Sequence, residues 1–284
     1  MTEIGLVDAI IIVLIGIIEG ITEWLPVSST GHMLIFDEFL PFAATDSFKE
    51  MFFVVIQLGA ILAVITVFFR KMLPVGTETV KTGELESKRV YLKKDTLWLW
   101  LKIAVACLPS AIIGLLFDDL LEKWFGSALS VSAMLIAYGV AFILVEKLRK
   151  NRTQKYDSLE NIGFLSAFII GLFQVISLIP GTSRSGATII GALMIGVGRT
   201  AAAEFTFFLA VPTMLGASLL KLLKFGFSFT SAEIIAVLLG MAVAYTVSLL
   251  AIRFLMDFVK KHDFSAFGWY RIALGALVIA ITVI

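Results

Sequence analysis

The chain has 284 residues, 59% of them hydrophobic and 16% charged, with a mean hydropathy of +0.99. A water-soluble domain carries about 25% charged residues, so this much apolar surface cannot all be hidden in one core, and lipid must be the solvent for a large part of it. A net charge of +1 and the lack of a basic face exclude a nucleic-acid footprint. Cys107 is the only cysteine, which excludes an intrachain disulfide and reads as a small buried hydrophobe.

The N-terminus lacks the basic flank of a cleavable leader, and only the ten uncharged residues 9–18 separate Asp8 from Glu19. A spanning helix needs about 20 residues, so the first segment is expected to belong to the mature fold. Residues 5–40 are apolar but broken at Leu25-Pro26-Val27-Ser28-Ser29-Thr30-Gly31. Three spans are expected next, near 51–69, 96–117 and 127–145. Residues 161–198 are broken in the same manner, at Ile179-Pro180-Gly181-Thr182-Ser183-Arg184-Ser185-Gly186. Three more spans are expected, near 200–220, 234–255 and 264–284. Lys102, Glu204 and Arg271 are single charges near span ends and are expected to snorkel toward water. Trp98, Trp100, Trp124 and Trp269 stand where interfacial aromatics belong.

Loop charges set an orientation. The loops 70–95, 147–155 and 260–261 hold fourteen Lys and Arg residues, whereas the alternate loops hold only Lys49, Lys123, Lys221 and Lys224. The positive-inside rule places the first three loops in the cytoplasm and both termini outside. Non-helical backbone is tolerated at membrane depth only where protein or a watery cavity satisfies it. Each broken stretch is therefore expected to be a re-entrant hairpin of two half-helices; two ordinary kinked spans are the alternative.

The broken stretches also resemble each other. Gly16-Ile17-Ile18-Glu19 aligns with Gly171-Leu172-Phe173-Gln174, Pro26 with Pro180, Gly31 with Gly186, and Glu50 with Glu204. The expected architecture is a single all-α polytopic membrane domain over 1–284. It would hold six transmembrane helices and two re-entrant helical hairpins, in two inverted-topology repeats at about 5–147 and 161–284.

The breaks hold the chemistry. Glu19 and Glu23 are four residues apart on a helical segment, about 40° apart around the axis, so they share a face. Two carboxylates in apolar surroundings call for a cation, and oxygen donors suit a hard ion such as Mg²⁺; a helix tip reaching water is the bland alternative. Ser28, Ser29, Thr30 and Gly31 before an apolar helix form a capping region suited to an anion. His32 can act there as base, acid or nucleophile, or be structural. Arg184, between Ser183 and Ser185 and one turn before Thr188, matches phosphate oxygens with its guanidinium fork. Alternatively it forms an ion pair with Glu19 or Glu23. Metal, nucleophile and anion clamp are the parts of phosphoryl transfer, and the apolar surroundings point to a lipid tail on the phosphate.

At these residues the chain resembles the undecaprenyl-pyrophosphate phosphatases of the bacitracin-resistance type. Residues Glu19 to His32 look like the first signature of that family and Pro180 to Thr188 like the second. The segments Val54 to Ala63 and Glu204 to Pro212 are similar to other shared regions, and the resemblance runs nearly end to end. Phe53 departs from it, where an acidic residue is expected. The resemblance implies removal of the terminal phosphate of undecaprenyl pyrophosphate. That reaction recycles the lipid carrier for peptidoglycan synthesis and gives resistance to bacitracin. It also implies a divalent cation, Mg²⁺ or Ca²⁺, and a site opening on the outer face of the bacterial plasma membrane. Glu19 and Glu23 would then be the acidic, metal-binding pair. Ser29 and His32 would be the candidate nucleophile or base, and Arg184 the pyrophosphate clamp. Ser28, Ser183, Ser185 and Thr188 would be supporting hydroxyls. A homodimer is left open, and the rival function is a transporter or flippase of polyprenyl phosphate.

Overall fold

The structure is a computed structural model that describes residues 5–40, 44–82, 85–150, 153–226 and 228–283. It is built almost wholly of helices. The sequence expectation for residues 1–4 lies outside the described residues.

Six helical stretches are long and apolar enough to cross a membrane: Asp46–Met72, Lys94–Phe125, Ala128–Arg149, Arg199–Phe225, Ser231–Lys261 and Ser265–Thr282. Each coincides with an expected span. The first divides into α3 (Asp46–Val55) and α4 (Gln57–Met72). The others are α5 (Lys94–Phe125), α6 (Ala128–Arg149), α9 (Arg199–Phe225), α10 (Ser231–Lys261) and α11 (Ser265–Val283). Their ends follow local chemistry. Thr45 and Ser127 accept the orphan amides of Phe48 and Ser130 with their hydroxyls, and Thr230 with Glu233 forms a reciprocal capping box. Gly226, at φ 90°, ends α9 in a conformation that favours glycine.

The two broken stretches fold as helix pairs: α1 (Leu6–Thr22) with α2 (Ser29–Phe39), and α7 (Phe164–Ile176) with α8 (Arg184–Met194). At 1.5 Å per residue, α2 and α8 rise only about 16 Å, half of a hydrocarbon core about 30 Å thick. The two breaks share a geometry. Ser28 (φ 74°) and Ser183 (φ 72°) are the only non-glycine residues at positive φ among those described, and each side chain accepts the amide of the glycine three residues on, Gly31 or Gly186. Such a backbone costs about 1–3 kcal/mol per residue and persists only where its surroundings hold it.

Packing crosses between the halves. α1 lies against α10, α7 against α5, α6 against α11, and α4 and α9 meet in the middle. Glycines allow the closest approaches, as they do generally between membrane helices. A Cβ at Gly20 would lie 2.9 Å from the Ala244 carbonyl of α10, and one at Gly171 would lie 2.3 Å from the Ala106 carbonyl of α5. The buried core runs through this centre, with Ile103, Ala106, Phe205, Phe208, Leu209 and Ile252 essentially inaccessible.

Three features depart from the sequence reading. Residues 75–92, expected as a plain loop, contain an antiparallel hairpin of β1 (Val75–Thr82) and β2 (Leu85–Leu92), in register Val75 with Leu92. The first span changes its hydrogen bonding at Ile56, which keeps helical dihedrals (φ −61°, ψ −23°) while its carbonyl accepts the Gly59 amide at 3.0 Å, and no proline marks the place. The Val54 carbonyl nearby accepts the Ser218 hydroxyl at 3.1 Å. Arg271 does not snorkel: it is fully buried, because backbone carbonyls of both breaks surround its guanidinium. Of the other two single charges, Glu204 pairs with Lys71 at 2.8 Å and Lys102 donates to the Glu160 carbonyl at 2.9 Å.

Candidate active site

The two breaks meet. Arg184, the first residue of α8, donates through Nε (3.2 Å) and Nη2 (3.0 Å) to Oε1 of Glu23, the residue that closes α1. Its Nη1 donates to the Thr206 carbonyl of α9 at 3.0 Å, and its guanidinium lies 5.8 Å from the ring centre of Trp24. Trp24 is itself fixed edge-on against Phe207. Charge, carbonyl and ring together hold the fork at the rim of a cavity of about 1000 Å³.

Glu23, Ser29, Ser183 and Arg184 line one end of that cavity together with Gln57. The space continues between α5 and α9, past Leu115, Leu178, Met214 and Leu220, to Asp118, Asp119, Lys123, Lys221 and Lys224. At that far end Lys224 pairs with Asp119 at 3.1 Å and Lys221 with Glu50 at 3.6 Å. A polar end, an apolar passage and a charged mouth suit an anion carrying a hydrocarbon chain.

The expected site residues fall into three groups. Glu23, Ser29, Ser183 and Arg184 share the cavity wall. The Ser29 hydroxyl has no hydrogen-bond partner among the described residues, whereas Ser183 accepts from Gly186 and contacts the Ser185 hydroxyl at 3.1 Å. Glu19, Ser28, Ser185 and Thr188 lie behind that wall and are nearly inaccessible. Thr188 donates to the Arg184 carbonyl at 2.9 Å and meets Thr206 at 2.9 Å, which fixes the first turn of α8. Ser28 caps α2 and offers its carbonyl to His32.

His32 stands apart. Its Nδ1 lies 2.7 Å from the Ser28 carbonyl, which can only accept, so Nδ1 carries the proton. Its Nε2 lies 2.7 Å from the Tyr270 hydroxyl, within hydrogen-bond reach. Both ring nitrogens are occupied, and the ring lies parallel to Tyr270 of α11. The structure thus ties His32 to α11 and does not bring it to the cavity wall with Ser29.

Glu19 sits one turn below Glu23, with the Gln57 side chain against it. Its Oε1 is buried without a partner, and Glu23 keeps a second oxygen clear of Arg184. Two carboxylates and an amide beside a cavity are the hard oxygen donors that Mg²⁺ or Ca²⁺ takes, with water or phosphate completing the shell. Among the described residues, no group of three or more His, Cys, Asp or Glu side chains gathers as a metal cluster.

Sequence reasoning missed several polar groups here. Gln57, a lone amide inside an apolar run, was legible as an anomaly. Gln174 donates to Ser110 at 2.6 Å and to Thr213 at 3.4 Å across three helices; its alignment with Glu19 was the available signal. Arg271 read only as an end-of-span charge.

Fold and site together define a multi-span membrane protein with a buried, anion-suited pocket between two broken helix pairs. The chain belongs to the BacA family: the family model described as bacitracin resistance protein BacA matches residues 12–277. It is 58% identical over 278 residues to an undecaprenyl-diphosphatase of Enterococcus faecalis, covering 98% of both chains. Proteins of the same name from Desulfitobacterium hafniense and Lachnoclostridium phytofermentans are 51% and 52% identical, with 97% and 96% of this chain covered and 96% of each relative.

Proposed function

We infer that this chain hydrolyses undecaprenyl diphosphate to undecaprenyl phosphate and inorganic phosphate in the bacterial cell membrane. The product returns to the lipid-carrier pool for cell-wall synthesis. The observation that carries the site assignment is the Glu23–Arg184 contact, which joins the two breaks at the polar end of a cavity with apolar walls.

In this reading Arg184 turns its fork from Glu23 to the terminal phosphate, an exchange of one oxyanion for another. Ser29 attacks that phosphorus with Oγ, its proton passes to a carboxylate of the Glu23–Glu19 pair, and the anhydride bond to the lipid phosphate breaks. Water then releases phosphate from the serine. Ser183 and the free amides of the two capped helix starts receive phosphate oxygens. Glu19, Glu23 and Gln57 would hold a divalent cation, Mg²⁺ or Ca²⁺, whose chemistry is to neutralise charge on the phosphates. His32 orients the Ser28–Ser29 backbone through its bond to the Ser28 carbonyl.

The crossed packing of α1 on α10 and α7 on α5 supports two inverted repeats, each a re-entrant hairpin followed by three spans. The same packing favours a second reading, movement of polyprenyl phosphate across the bilayer. Purified protein given a long-chain prenyl diphosphate and Mg²⁺ separates the two. Phosphate release is expected, and it should fall about a hundredfold or more in Glu23→Ala and Arg184→Ala, as when a transition-state contact worth roughly 2.7–4 kcal/mol is lost. Lipid binding without release would favour transport, and near-normal turnover in either variant would remove that residue from the reaction.

A further inference from the structure

Arg271 of α11 is fully buried and takes no part in the cavity wall. Its Nη2 donates to the carbonyls of Gly181 and Thr182, both at 2.8 Å, and its Nη1 to the carbonyl of Pro26 at 3.3 Å. One guanidinium thus holds both breaks. Gly181 forms cavity wall on its other side, so the cation stands one residue behind the site. Its Nε has no partner, and the Tyr138 ring is 5.7 Å away. Among the described residues, none of its contacts is an ion pair.

The matching slot beneath the first break shows what packing alone requires. A Cβ on Gly186 would lie 3.2 Å from Arg271 Nη1; a Cβ on Gly31 would lie 2.8 Å from Leu135 Cδ1. Gly31 and Gly186 hold the same position in their breaks, three residues past a left-handed serine. Leucine fills one slot and a guanidinium fills the other. A neutral amide could also serve carbonyls. A buried cation without a carboxylate is costly in a bilayer, so the charge itself requires a cause.

We propose that Arg271 is a positioning residue of the phosphatase site: it clasps the two breaks together through their carbonyls and sets an uncompensated positive charge behind them, which the bound diphosphate neutralises. This rests on the reading that one diphosphate bridges the breaks. It explains how Ser29 and Arg184, on separate helix pairs, keep a fixed spacing while Arg184 exchanges Glu23 for substrate. It also makes anion affinity depend on a residue that the anion never touches.

Inorganic pyrophosphate, used as a competitor of the lipid substrate, tests the idea in purified full-length protein. Arg271→Gln keeps a donor and loses the charge; Arg271→Lys keeps the charge and loses the fork. In Arg271→Gln the inhibition constant of pyrophosphate and the KM should both rise roughly tenfold or more. Arg271→Lys should restore the inhibition constant to about threefold of normal, while kcat falls below normal because one ammonium cannot span three carbonyls. Leu135→Met, in the matching slot, should leave both constants unchanged. A purely structural Arg271 would lower the melting temperature and leave both constants unchanged per folded molecule, and that result overturns the proposal, whichever of the two substitutions survives purification. Arg184→Ala is run alongside. If it too leaves pyrophosphate inhibition intact, the diphosphate reading itself fails; if it abolishes inhibition while Arg271→Gln does not, only the role of Arg271 is lost.

Discussion

At the scale of single residues, what Ser29 and His32 each touch sets the proposed division of labour between them. The Ser29 hydroxyl faces the cavity and has no partner among the described residues, whereas both nitrogens of His32 are taken by the Ser28 carbonyl and Tyr270. Ser29→Ala should therefore lower turnover about a hundredfold or more, a loss of the size seen when a nucleophile disappears. His32→Asn, which keeps a short amide donor toward the Ser28 carbonyl, should retain roughly tenfold more turnover than His32→Ala. Steady-state phosphate release per folded molecule measures both, and equal losses in the two His32 variants would return histidine to proton transfer. The sequence made Glu23 and Arg184 legible because charges in an apolar run demand compensation. It could not show that His32 turns toward α11 or that Arg271 turns inward, since both orientations depend on contacts from parts of the chain far away in sequence.

Among the helices, the breaks were legible for a related reason: Pro26, Pro180 and Gly181 with flanking hydroxyls cannot continue an apolar helix, and the bilayer forbids leaving their backbone unsatisfied. The altered hydrogen bonding at Ile56 was not legible, because the backbone there stays helical and the Ser218 hydroxyl that reaches the Val54 carbonyl comes from a distant helix. The β1–β2 hairpin was hidden in a polar, threonine-rich segment that reads as loop. Helix spacing is where the fold is least forgiving. Gly171 brings α7 so close to α5 that an added methyl would meet the Ala106 carbonyl at 2.3 Å. A backbone carbonyl cannot rotate aside as a side chain can, so α7 must shift and carry the second break with it. Gly171→Ala should cost about 1–3 kcal/mol, as overpacking does. It should also lower turnover by moving Arg184 away from Glu23. Thermal melting in detergent beside the phosphate assay checks this, and an unchanged melting temperature would mean that the two helices separate without cost.

For the whole molecule, orientation decides which compartment supplies substrate. The charged mouth of the cavity at Lys123, Lys221 and Lys224 lies at the end where α5 and α9 finish and α3 begins, as the Lys221–Glu50 pair shows. The heavily basic segments, including the β1–β2 hairpin, join helices at the opposite end. By the positive-inside rule the mouth is expected to face outward and the hairpin inward. Cys107 lines the cavity and would give a background signal, so it is first replaced by alanine. In that background Asp46→Cys and Val90→Cys each place one thiol at an exposed position, at opposite ends of the protein. Intact cells treated with a thiol reagent that does not cross membranes should be labelled at position 46 and not at position 90, and permeabilised cells at both. The reverse pattern would put the mouth in the cytoplasm, and the diphosphate would then have to arrive on the inner leaflet. Labelling at both positions in intact cells would mean that the chain inserts in two orientations, which the one-sided distribution of lysine and arginine argues against.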